Sequence, residues 1–132
     1  RAKKYKNNVL KKNPLYSIIL CISGNIRRIM KEKSLDKNFK TIDILGCTKE
    51  DLRLYFESQF KDGMSWENRK DWHIDHIIPL SLAETEDEVI LLNHYTNLRP
   101  MWSNENIIKS DKLENPEHPI YIKLLEKRKN TD

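Results

Sequence analysis

Apolar residues recur at helical spacing from Leu15 through Ile18, Ile19, Ile22, Ile26, Ile29 and Met30, which predicts one amphipathic helix. Asn13-Pro14 supplies its start, with Asn as the cap and Pro in the first turn. Gly24 falls inside the stripe and is expected to weaken or bend it. Ile42, Ile44 and Leu45 form a short buried segment that ends at Gly46. Leu52, Tyr55, Phe56 and Phe60 give a second helix its apolar face; Thr48 with Asp51 three residues on resembles a capping box at its start, and Asp62-Gly63 stops it. Gly63 to Asp71 reads as an irregular loop anchored by Trp66.

The pattern then changes. In Trp72-His73-Ile74-Asp75-His76-Ile77-Ile78-Pro79 the β-branched and aromatic residues favour an extended, half-buried strand, and Pro79 cannot continue a ladder. Val89 to Leu92 is a short apolar run that fits helix and strand alike, leading into a second strand at Tyr95 to Leu98 that Pro100 closes. Ser103 is the expected cap of a following helix, with Ile107 and Ile108 turned inward and Asn115-Pro116 as its end. Pro119 to Lys129 predicts a last helix, apolar at Ile120, Tyr121, Leu124 and Leu125 and basic at Lys123, Lys127, Arg128 and Lys129. The expected class is therefore a small α+β protein.

The first strand carries the chemistry. His73, Asp75 and His76 place two imidazoles and a carboxylate within four residues, as a metal site or a proton-transfer site needs. In a regular strand His73 and Asp75 share a face while His76 points the other way, so Asp75 and His76 act together only if the strand ends or distorts there. A pairing of His73 with Asp75 on one metal is the rival arrangement.

Together with a second stretch this segment resembles the HNH nuclease family, and most closely the phage-type HNH endonucleases. The matching residues are Asp75-His76 at the end of the first strand, Asn97 on the second, and Asn106 nine residues later in the frame Asn-x-x-Lys with Lys109. Gly46-Cys47-Thr48-Lys49-Glu50-Asp51-Leu52 and Gly63-Met64-Ser65-Trp66 match two further segments of the phage-type pattern, so the likeness covers roughly residues 46 to 112. It implies a ββα-metal core at about residues 70 to 113 and divalent-metal-dependent hydrolysis of DNA, leaving 5′-phosphate and 3′-hydroxyl ends. By the same likeness Asp75 and Asn106 hold one Mg²⁺ or Mn²⁺ ion, His76 is the general base, and Asn97 hydrogen-bonds His76 to orient it. His73 is a secondary catalytic candidate, close to the metal or to DNA. The oxygen donors of Asp75 and Asn106 suit a hard ion, and their small number predicts weak binding without DNA. Arg99 and Lys109 are candidate phosphate contacts, the first bidentate and the second a point charge. His94 is expected to be structural and His118 to lie on the surface.

Charge adds a partner. Residues 1 to 40 hold twelve Lys or Arg against Glu32 and Asp36, a balance of +10, whereas the remaining residues carry −6 of the overall +4. A basic portion on an acidic body suits a polyanion, and Lys3, Lys4, Arg27 and Arg28 are the candidate DNA contacts within it. The expected organisation is a basic helical portion over 1–45, the nuclease domain over 46–113, and a basic helix over 114–132. Cys21 and Cys47 have no partner pattern, which suits free thiols in the cytoplasm of a bacterial or phage-infected cell. No run of eighteen apolar residues is present, so no membrane partner is expected. The residues specify no oligomeric state. Two other functions fit the same residues: a non-catalytic nucleic-acid-binding module in which His73, Asp75, His76 and His94 converge on a structural Zn²⁺, and a nuclease directed at RNA.

Overall fold

The computed structural model describes residues 14–130, so Lys3 and Lys4 lie outside the described residues. Helix α1 (Pro14–Glu32) opens on Pro14 and buries Leu15, Ile18, Ile22, Ile26, Ile29 and Met30 along one stripe. It runs unbroken through Gly24, which lies exposed, with nothing near enough for a Cβ to meet. A single turn, α2 (Thr41–Ile44), is tied to α1 by the Ser23–Thr41 hydroxyl pair at 2.6 Å. Helix α3 (Lys49–Ser58) is capped as its sequence suggests, the Thr48 hydroxyl accepting from the Asp51 N–H at 3.1 Å, and it buries Leu52 and Phe56.

Residues 66–71 form a 3₁₀ segment that leads into strand β1 (Trp72–His76). An aromatic cluster fixes this approach: the rings of Phe60, Trp66 and Trp72 pack edge to face at centroid distances of 5.2 to 5.7 Å. Their polar ends are satisfied, Trp66 Nε1 donating to Glu57 and Trp72 Nε1 to the Ser65 carbonyl. The apolar run after β1 resolves as helix: α4 (Glu86–Leu92) is capped by Thr85, with three acids in its first turn where the helix dipole favours them.

Strand β2 (Leu98–Trp102) begins where the sequence suggests it would end, and residues 95–97 form a 3₁₀ turn ahead of it. Asn97 therefore precedes β2. Pro100 lies in mid-strand opposite Ile74, which a two-stranded antiparallel sheet tolerates because β2 has one unpaired edge. Helix α5 (Ser103–Lys109) follows directly and ends at Ser110, whose φ of +51° breaks it well before Asn115. Ser103 is its first residue and not its cap. Ile107 and Ile108 face solvent, each 71% exposed, and not the core. The last helix, α6 (Pro119–Lys129), runs as the sequence predicts, with His118 capping it.

The class is α+β: helices around one two-stranded antiparallel sheet. One buried cluster takes side chains from all three expected segments, Ile18, Ile22 and Ile26 from α1, Leu52, Phe56, Trp72 and Leu98 from the centre, and Leu124 from α6. No helix among the described residues is long and apolar enough to cross a membrane.

Candidate active site

The strand register creates the centre of the site. Asp75 stands opposite Arg99, and Arg99 Nε donates to Asp75 Oδ2 at 2.8 Å. Helix α5 brings Lys109 onto the other oxygen, Nζ to Oδ1 at 3.1 Å, and the same ammonium donates to the His76 carbonyl at 3.1 Å. Asp75 and Lys109 are almost fully enclosed, 3% and 4% exposed. A carboxylate so buried is tolerable only with cations and donors on both oxygens, and this one has them. Lys109 is therefore an internal counter-ion and not a surface point charge for phosphate, and Arg99 is partly committed in the same way.

One turn earlier on α5, Asn106 lies against β1, its Nδ2 3.2 Å from His73 Nδ1. The amide nitrogen is the donor, which leaves Asn106 Oδ1 without a partner among the described residues. His76 ends β1, so the strand stops where Asp75 and His76 need to diverge from strict alternation. Its Nε2 is 2.8 Å from Asn93 Oδ1, and Asn93 Nδ2 donates to the Val89 carbonyl at 2.8 Å. Burial holds the His76 pKa below its ordinary value; Lys109 and Arg28 push the same way, while the Asn93 bond and Asp75 oppose them.

Asn97 does something other than orient His76. Its Oδ1 accepts from the Ile78 N–H at 2.8 Å, and its Nδ2 donates to the carbonyls of Ile78 and Leu92 at 3.0 and 2.8 Å. The side chain thereby pins the chain leaving β1 to the end of α4. The contact to His76 belongs to Asn93, because α4 continues to Leu92 and delivers Asn93 at its C-terminal end.

His73, Asp75, His76 and Asn106 line one open cavity of about 620 Å³. Arg69, from the segment before β1, and Arg28, from α1, are among the other residues of its walls. Arg28 is thus part of the site, whereas Arg27 points outward and does not line it. His94 is absent from this group. Its Nδ1 bonds the Thr96 hydroxyl at 2.8 Å, and its ring lies against Gly46, where a Cβ would come within 2.3 Å of Nε2. The four ligands of a structural zinc are therefore not together, and among the described residues no three His, Cys, Asp or Glu side chains form a metal-binding group. His118 is half-buried and accepts from the Ile120 N–H at 3.1 Å.

A hard divalent ion fits the oxygen donors that remain. Each Asp75 oxygen keeps a second lone pair beside its hydrogen bond, and Asn106 lines the same cavity. Arg99 and Lys109 oppose a further cation there until an anionic group enters.

The chain is 39% identical over 112 residues to an uncharacterized protein, L426, of Acanthamoeba polyphaga mimivirus. The match takes in 82% of this chain and 48% of that protein, so the chain spans about half the length of the relative it matches. No family model matches the chain. No solved structure matches it.

Two residues at the candidate site escape the sequence reading. Asn93 becomes visible only once α4 is known to be a helix ending at Leu92. Arg69 is one of many charged residues in the polar loop from Lys61 to Asp71, and no pattern marks it.

Proposed function

We propose that this chain is a divalent-metal-dependent endonuclease that hydrolyses DNA phosphodiester bonds in the cavity between β1, α5 and α1. The observation that carries the reading is the state of His76. Asn93 Nδ2 is committed to a backbone carbonyl, so Asn93 Oδ1 is an acceptor and His76 Nε2 must carry its hydrogen. Nδ1 is then the bare nitrogen, and no hydrogen-bond partner among the described residues occupies it. Burial keeps the ring neutral. A neutral imidazole with one nitrogen fixed and the other free is what a general base requires.

The succession of β1, β2 and α5, with Asp75-His76 on the first strand and Asn106 on the helix, supports a ββα-metal core of the HNH type. In this reading a water oxygen attacks phosphorus while its proton passes to His76 Nδ1, and the bond from phosphorus to the 3′ oxygen breaks, that oxygen taking a proton from solvent. The strand is left with 5′-phosphate and 3′-hydroxyl ends. Asp75 and Asn106 would hold one Mg²⁺ or Mn²⁺, which supplies positive charge against the phosphorane and the leaving oxygen. Lys109 fixes the His76 carbonyl and the Asp75 carboxylate to one helix, so base and ligand keep their relative positions. Asn97 prevents the strand end from fraying.

The test is incubation with supercoiled plasmid. Nicked or linear DNA should appear with Mg²⁺ or Mn²⁺, vanish with EDTA, and fall at least tenfold in Asn106→Ala. Cleavage undiminished by EDTA would overturn the metal dependence, and undiminished activity in Asn106→Ala would overturn the ligand assignment.

A further inference from the structure

The described residues include six arginines, and their partners sort them. Arg53, Arg99 and Arg128 each make a salt bridge to a carboxylate. Arg27 points away from the protein. Arg28 and Arg69 remain, and both line the cavity that holds His73, Asp75, His76 and Asn106. Glu32 and Asp111 line it too, yet among the described residues neither forms an ion pair with either arginine.

Arg69 is held rigidly and left unsatisfied. Its Nη1 donates to the Trp72 carbonyl at 2.9 Å, and its guanidinium carbon stacks 4.4 Å from the Trp72 ring centroid. Trp72 is itself fully buried, so the platform does not move. Nε is enclosed and has no hydrogen-bond partner. A guanidinium has five N–H donors, and one is used. Leaving a buried donor unpaired costs about 1–3 kcal/mol, which the fold tolerates at this residue alone among the described side chains. A guanidinium held in this way, with donors to spare and no carboxylate paired to it, is pre-organised to grip two oxygens of a phosphate.

We propose that Arg28 and Arg69 together grip a backbone phosphate of the bound nucleic-acid strand, next to the one that reacts, so that the strand runs between α1 and the sheet. The identity of the polymer rests on the nuclease reading; the anion site rests on the arginines. Helix α1 is then a wall of the active site, not only a basic attachment that raises affinity. Arg69 is a binding residue that lies outside every segment of the nuclease-like pattern.

The test uses the whole chain in EDTA, so that binding is read without cleavage. Binding of a fluorescein-labelled duplex is measured against salt for the unmutated protein, Arg28→Gln, Arg69→Gln and, as a control on the outward face of α1, Lys31→Gln. Each arginine variant should flatten the slope of log K against log[salt] by up to about 0.9, the value of the one phosphate that the pair neutralises. In a parallel arm, inorganic phosphate and then the duplex are titrated into ¹⁵N-labelled protein. The Arg69 Nε–Hε signal should move with both. Arg28→Gln removes an exposed side chain and folds, so the proposal stays testable even if Arg69→Gln does not. Unchanged slopes in both variants, flattening by only one of two folded variants, or an unmoved Arg69 signal would overturn it. A protein that shows the flattening but never cleaves keeps the phosphate grip and loses the nuclease reading. A protein that cleaves with unchanged slopes does the reverse.

Discussion

Asp75 serves two ends that a single substitution cannot separate. Its carboxylate is the candidate metal ligand, and among the described residues it is also the sole carboxylate bonded to the buried Lys109 ammonium. Asp75→Ala should therefore destabilise the metal-free protein by about 3–5 kcal/mol, the range for stranding one member of a buried ion pair. Asn106→Ala, at a half-buried position with one long contact, should stay within about 0.5 kcal/mol of the unmutated protein. Urea unfolding in EDTA checks both, and an equal, small effect would mean that Lys109 does not depend on Asp75. Loss of cleavage in Asn106→Ala is for this reason the cleaner sign of a ligand. The residues of the site were legible in Trp72 to His76 because imidazole and carboxylate side chains so closely spaced have few structural uses. Their partners were not legible. Asn93 and Asn97 are both asparagines near the same helix end, and which of them reaches an imidazole depends on where α4 stops.

The two elements the sequence misreads fail for different reasons. Helix α5 has its amphipathicity reversed: Asn106 and Lys109 face the sheet, while Ile107 and Ile108 face water. A rule that turns apolar residues inward assumes an apolar neighbour, and here the neighbour is a buried carboxylate. Strand β2 contains Pro100 at a position the sheet leaves unpaired on one side, so the usual stop signal is silent. Helices α1, α3 and α6 were legible because helical periodicity and a buried apolar face agree in each, and in α3 the Thr48 cap agrees as well. Helix α1 also shows where local preference was overridden. Gly24 has helical company on both sides and no neighbour that a methyl group would touch. Gly24→Ala should raise the unfolding free energy by about 1 kcal/mol, read from the urea midpoint at constant slope. A loss of stability would mean that the backbone at Gly24 is not ordinary helix.

For the whole molecule, burial lowers the proton affinity of three histidines, His76, His94 and His118. Unfolding returns each to about 6.5, so just below that pH the unfolded chain binds protons that the folded chain does not. Stability is then complete above about pH 6.5 and declines as the pH falls toward the folded values. In EDTA the urea midpoint should be lower at pH 5.5 than at pH 7.5; an equal or higher midpoint at pH 5.5 would contradict it. The same arrangement keeps His76 uncharged at neutral pH, beside a cavity that helix α1 closes on one side.

That His76 is the base is tested most directly by single-turnover cleavage of a DNA duplex at saturating protein in Mn²⁺, comparing the unmutated chain with His76→Ala. Asp75 and Asn106 are intact in the variant, so duplex binding should be close to normal. The rate should fall by about two to four orders of magnitude, the usual contribution of a positioned general base. A variant that binds DNA normally and cleaves it within a few-fold of the unmutated rate would contradict the assignment and move the search for the base to His73.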